Sequence, residues 1–61
     1  MRKTVTTTCV LYLQPGDVLR DSGAVVSHII TNVAPGLTDV VTDKGVRRML
    51  TTKSVTVIRY R

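Results

Sequence analysis

From Lys3 to Leu13 the chain alternates. Odd positions carry Val5, Thr7, Cys9, Leu11 and Leu13, and even positions carry Thr4, Thr6, Thr8, Val10 and Tyr12. A period of two belongs to a strand with one buried face, and the more apolar odd face is expected to point inward. Gln14-Pro15-Gly16-Asp17 then supplies a turn, because proline presets φ, glycine permits positive φ, and aspartate bonds its own backbone. Val18 and Leu19 extend briefly before a second turn at Asp21-Ser22-Gly23. Ala24 to Val33 predicts a second long strand, but Val25-Val26 and Ile29-Ile30 are adjacent pairs pointing to opposite faces. Burial on both faces or a bulge accounts for that break in period. After Ala34-Pro35-Gly36 come a third strand, Leu37 to Thr42, and a hairpin at Asp43-Lys44-Gly45 with its glycine in the left-handed region. Val46 to Leu50 returns antiparallel. Thr51-Thr52-Lys53 makes a short link with room for one 3₁₀ turn, and Ser54 to Tyr60 forms the last strand.

Five strands in 61 residues are too few and too short for a sandwich of ordinary size. They fit a single all-β domain spanning 1–61: a small, strongly bent antiparallel sheet that nearly closes into a barrel, with little or no helix. Closure also shields edges that invite strand addition. The competing arrangement is an open meander that dimerises through its uncovered face. The run Leu13-Gln14-Pro15-Gly16-Asp17-Val18-Leu19, then Gly23, Val26 to Ile29, the Asp43-Lys44-Gly45 hairpin and the terminal Val55-Thr56-Val57-Ile58 resembles an SH3-like barrel. Gly16-Asp17-Val18 followed by a glycine and a valine strand is similar to the KOW-type versions in transcription and ribosomal proteins, with Ala24 where such units carry a second glycine. The short, Thr-rich, Glu-free, basic chain also resembles small proteins of actinobacterial phages.

Composition agrees with strands. Val, Thr and Ile supply 24 of 61 residues, against two Ala and no Glu, and β-branched side chains pack better on a pleated surface than in a helix. Tyr12 and Tyr60 are the only aromatic residues, so the core is aliphatic. The single Cys9 cannot form an internal disulfide. Met1-Arg2-Lys3 leads into a threonine run too polar for a signal peptide, and the longest apolar run, Cys9 to Leu13, is far short of the ~20 residues that span a membrane. The expectation is a cytoplasmic, non-membrane protein. A chain this short is also not expected to wrap a small-molecule cleft, whose usual volume is roughly 300–1,000 Å³.

Charge is unevenly placed. The formal net charge is +5, yet residues 1–43 carry Arg2, Lys3 and Arg20 against four aspartates. Residues 44–61 carry Lys44, Arg47, Arg48, Lys53, Arg59 and Arg61 with no acid. A one-sided basic patch is the electrostatic footprint of a nucleic-acid binder working through phosphates and counterion release. Lysine and arginine on edge strands also simply deter aggregation and keep a small β protein soluble. Arg47 and Arg48 are adjacent and point to opposite faces, whereas Arg59 and Arg61 share one face with Ile58 and Tyr60 on the other. Base stacking is expected to depend on Tyr60, or on Tyr12 if that ring is exposed, and two tyrosines make a weak stacking platform. Phosphate contact with little sequence preference is the expected mode. Arginines also pair bidentately with carboxylates, so an acidic protein of the host suits the same surface.

Catalysis finds little material. Asp17, Asp21 and Asp43 sit beside glycine-bearing turns that explain them, leaving Asp39 as the strand carboxylate. Cys9, His28 and Asp39 are the one conceivable constellation, without the spacing of a metal-ligand pair, and Cys9 is expected to be a buried packing residue. His28 reads as a solvent-facing strand residue. The chain is therefore expected to be a non-enzymatic binding protein with no cofactor and no metal, contacting phosphates through Lys44, Arg47, Arg48, Lys53, Arg59, Arg61 and Tyr60. The alternative is a protein-interaction module acting as a homo-oligomer. The N-terminal strand is long and uncharged between Thr4 and Leu13, which favours sheet extension by another chain. The Thr4, Thr6, Thr8 ladder superficially resembles an ice-binding surface, but threonine on the wet face of a strand explains it.

Overall fold

The computed structural model describes residues 2–60. The alternating segments form six strands: β1 (Lys3–Cys9), β2 (Val18–Leu19), β3 (Val26–Ala34), β4 (Leu37–Thr42), β5 (Gly45–Leu50) and β6 (Ser54–Tyr60). They make two three-stranded antiparallel sheets, ordered β1-β6-β2 and β3-β4-β5. The all-β expectation holds, with six strands in place of five. The added one is the brief extension at Val18 and Leu19, which pairs with Ile58 and Val57 as a true ladder. Among the described residues no helix is long and apolar enough to cross a membrane.

The sheets are stitched together at their corners. Val18 bridges Val25, the Val26 amide donates to the Asp17 carbonyl at 2.8 Å, and the Gly16 amide donates to the Val26 carbonyl at 2.8 Å. Between them the chain reverses at Arg20–Gly23, where the Gly23 amide donates to the Leu19 carbonyl with φ at 73°, a backbone region that L side chains rarely adopt. Leu19 and Val57 from one sheet and Val26, Val40 and Met49 from the other then meet in an aliphatic core, sealed by Val10, Leu13 and Ala24 from the connections. Thr38 is fully buried within it, its hydroxyl bonded to that of Thr51 at 2.8 Å, so burial leaves no unmade hydrogen bond there.

Several local expectations are overturned. The first strand stops at Cys9, and Val10–Tyr12 form a 3₁₀ turn where the strand was expected to continue; Thr51 to Lys53 make a plain turn closed by the Lys53 amide on the Leu50 carbonyl. Leaving the sheet lets Val10 drop fully into the core while its amide donates to the Lys53 carbonyl at 2.9 Å. The inward face of β1 is also the even one. Val57 must face the core because it pairs with Leu19, and its partner across the ladder is Thr6, so Val5 is carried outward and is 51% exposed. Cys9 consequently lies partly buried opposite Ser54, its thiol donating to the Thr51 carbonyl at 3.1 Å. At the hairpin, Thr42 pairs with Gly45, so Asp43 and Lys44 are the central residues and Gly45, with φ at 112°, opens β5.

The irregular second strand resolves as the bulge reading. β3 slips register against β4 between Val26 and His28 and again between Ile30 and Ala34, with Asn32 at φ 57° in the second slip. Val26 and Ile29 thereby both reach the core side, leaving Ile30 outward and 47% exposed.

One ion pair ties the Gln14–Asp17 turn to the end of β6. Asp17 is 3% exposed, and its two oxygens accept from Arg59 Nε at 3.0 and 3.1 Å. Its Oδ2 also accepts from the Gln14 amide at 3.0 Å, and Arg59 Nη2 donates to the Tyr12 carbonyl at 3.2 Å. Removing the cation strands a buried carboxylate, which typically costs about 3–5 kcal/mol. Arg59→Met is therefore expected to lower the melting temperature by more than about 12 °C, since a domain of this size loses about 4–8 °C per kcal/mol. Arg48→Gln, which breaks an exposed pair, is expected to lower it only slightly. Thermal unfolding followed by circular dichroism reads both, and equal shifts would refute a special role for the buried pair.

Candidate binding cleft

The fold distributes the basic C-terminal third across the molecule. Arg47 and Arg48 point to opposite faces, as adjacent strand residues must. Arg48 lies on the outer face of the β3-β4-β5 sheet, where its Nε meets Asp39 on the neighbouring strand at 2.9 Å, directly opposite in register. Arg59 is a strut bound to Asp17 and only 19% exposed. Tyr60 is half exposed, but it stands six residues beyond Ser54 on β6, about 20 Å away at the rise of an extended strand. Arg61 lies outside the described residues.

The remaining cations converge. Arg47 on β5 and Lys53 just ahead of β6 line one cleft of about 460 Å³, together with Arg20. It opens at the seam between the two sheets, a volume the chain length had argued against. Short chains lack a deep interior, but two small sheets splayed at one edge enclose space between them. The floor is aliphatic, from Leu19, Met49 and Val55, and Ser54 and Thr56 border it on the β6 side. Arg20 reaches the site because its amide donates to the Thr56 carbonyl at 3.1 Å, continuing the β2 ladder one residue past its end. Sequence reasoning placed Arg20 in the near-neutral first part and missed it. The available signal was its position beside the short Val18–Leu19 extension.

The cleft holds one carboxylate. Arg47 Nη1 contacts both oxygens of Asp21, at 3.2 and 3.3 Å, on the exposed Asp21–Gly23 turn. On that turn too, Lys44 Nζ donates to the Ser22 carbonyl at 2.8 Å, drawing the hairpin lysine alongside. The hydrogen bond and charge of Arg47 hold the Asp21 carboxyl below its ordinary value of 3.8. Among the described residues Arg20 and Lys53 make no ion pair.

The three residues weighed for catalysis are held by different partners. Cys9 bonds Thr51, His28 Nδ1 lies 3.2 Å from the Ser27 hydroxyl, and Asp39 holds Arg48. Turn formation does not fully explain Asp17 and Asp21, since both are partners of arginines far along the chain. No protein-family model, curated protein or solved structure matches this chain.

Because the folded Asp21 pKa is depressed, its pairing contributes stability above the unfolded value and loses it as pH falls through the folded value, in the window below about pH 4. Carboxyl-detected NMR titration is expected to place the Asp21 midpoint below 3.8 and to return it toward 3.8 in Arg47→Gln. An unchanged midpoint in that variant would break the assigned cause.

Proposed function

We propose that this protein is a non-catalytic, SH3-like β-barrel module that binds nucleic acid through its phosphates, using the cationic cleft between its two sheets. The observation that carries the reading is the convergence of Arg20, Arg47 and Lys53 on one concave site that holds the single carboxylate Asp21. Of the other candidate cations, Arg48 is engaged by Asp39 and Arg59 by Asp17. The fold reading is supported by two small antiparallel sheets packed on a shared aliphatic core and joined at a corner by strand-to-strand hydrogen bonds. A net charge of +5 adds long-range attraction for a polyanion.

Fluorescence polarisation with labelled oligonucleotides at increasing salt tests the proposal. Affinity is expected to fall linearly on logarithmic axes, with a slope near −0.7 for each single-strand phosphate neutralised. Lys53→Gln is expected to weaken binding and flatten the slope by about that amount. Asp21→Asn, which releases Arg47, is expected to strengthen binding several-fold. Absence of binding at low salt to any nucleic acid would overturn the reading.

A second reading rests on a separate observation. β1 pairs with β6 alone, and its other edge, uncharged from Thr4 to Cys9, is open to another strand. This supports a protein-interaction module that assembles with a second copy through β1. Light scattering decides it: Thr7→Pro, at a position whose N–H points away from β6, is expected to convert an oligomer to a monomer, and a wild-type particle of 6.7 kDa would end this reading.

A further inference from the structure

We infer that the cleft takes one unpaired nucleotide of a single strand, its base lying against the aliphatic floor and its flanking phosphates on the cationic rim. The inference deepens the nucleic-acid reading and rests on it. A surface that met phosphates alone would need no depth and no apolar floor. This site has both: a volume of about 460 Å³ over Leu19, Met49 and Val55. That volume lies within the roughly 300–1,000 Å³ of clefts that bury small organic groups. A nucleobase is flat, apolar on its faces and polar at its edges. Met49 offers a polarizable thioether, which packs well against an aromatic ring. Ser54 and Thr56 border the floor on the β6 side, the Thr56 hydroxyl lying 3.4 Å from that of Thr7, so the lining demands no one base.

The cations stand around this floor. Arg20, Arg47 and Lys53 border the cleft, and Lys44 is held at the same Asp21–Gly23 turn by the Ser22 carbonyl. A strand passing over the mouth thus meets positive charge on either side of an inserted base. A duplex cannot use the floor without unstacking and unpairing a base, at a cost of a few kcal/mol. Single strands incur little of that cost, so the shape of the site selects them. Nothing in the lining separates deoxyribose from ribose, and the shared chemistry is an unstacked nucleotide.

The test compares oligothymidine, oligouridine and a DNA duplex of equal length against the wild type, Ser54→Ile and Lys53→Gln. Ser54 is exposed at the start of β6, so isoleucine there suits a strand while adding bulk to the cleft and no charge. Single strands are expected to bind the wild type at least about tenfold tighter than the duplex, given the unstacking cost. Ser54→Ile is expected to erase most of that preference by weakening single strands more than the duplex. In the wild type, thymidine monophosphate is expected to shift the methyl NMR signals of Leu19, Met49 and Val55, a readout independent of any variant. If Lys53→Gln weakens every ligand but Ser54→Ile changes none and the methyls do not move, base insertion is wrong and phosphate binding stands. If no oligonucleotide binds, both fail. Oligodeoxyuridine, which differs from oligouridine only at the sugar, is expected to bind like it, and a preference between the two would identify RNA or DNA as the source within the same inference.

Discussion

A carboxylate with almost no exposed surface needs a cation within hydrogen-bond reach, and Asp17 finds it in Arg59, 42 residues further along the chain. The pair holds the Gln14–Asp17 turn against the end of β6. From that turn the chain passes straight into β2, whose two residues lie in register against the same strand. β6 is thus held on both sides, by β1 and by β2, and Val57 is pinned to the interior. The inward face of β1, the entry of Val10 into the core and the path of the Arg20–Gly23 turn all follow from that placement.

Charge compensation extends the same logic. Antiparallel return brings acids from the first part of the chain against arginines from the last: Asp17 with Arg59, Asp21 with Arg47, Asp39 with Arg48. These pairs differ in kind. The first is buried and hydrogen-bonded on several sides, while the other two are exposed at one or both partners and screened by water. A molecule that looks segregated along its length is therefore locally compensated in space. Two cations without an ion pair, Arg20 and Lys53, stand together where the sheets part.

That site is rigidly framed. Its walls come from β5, the end of β2 and the start of β6, strand residues anchored in the core through Met49, Leu19 and Val57. Side chains on strands hold their spacing better than those on loops, which favours recognition by shape. At the rim of the site lies the Asp21–Gly23 turn, where the exposed Asp21 holds Arg47.

Alternation, turn residues and β-branched composition were sufficient to read an all-β chain and the bounds of β4 and β6 directly, because a strand's period and a turn's glycine are local properties. The opposition of Arg47 and Arg48 was legible for the same reason. The inward face of β1 was not. Both of its faces carry threonine and aliphatic residues, and the choice belongs to the register with Val57, which lies far along the chain. Nor did the pattern locate the cleft. Its cations stand at 20, 47 and 53, and only the pairing of β2 with β6 in one sheet and the packing of β5 from the other sheet against them bring these cations together. The same pairings turned Arg59 from a candidate surface residue into an internal support. Sequence alone determined what this chain is built from and how each segment extends; long-range pairing decided which charges cancel, which remain, and where they meet.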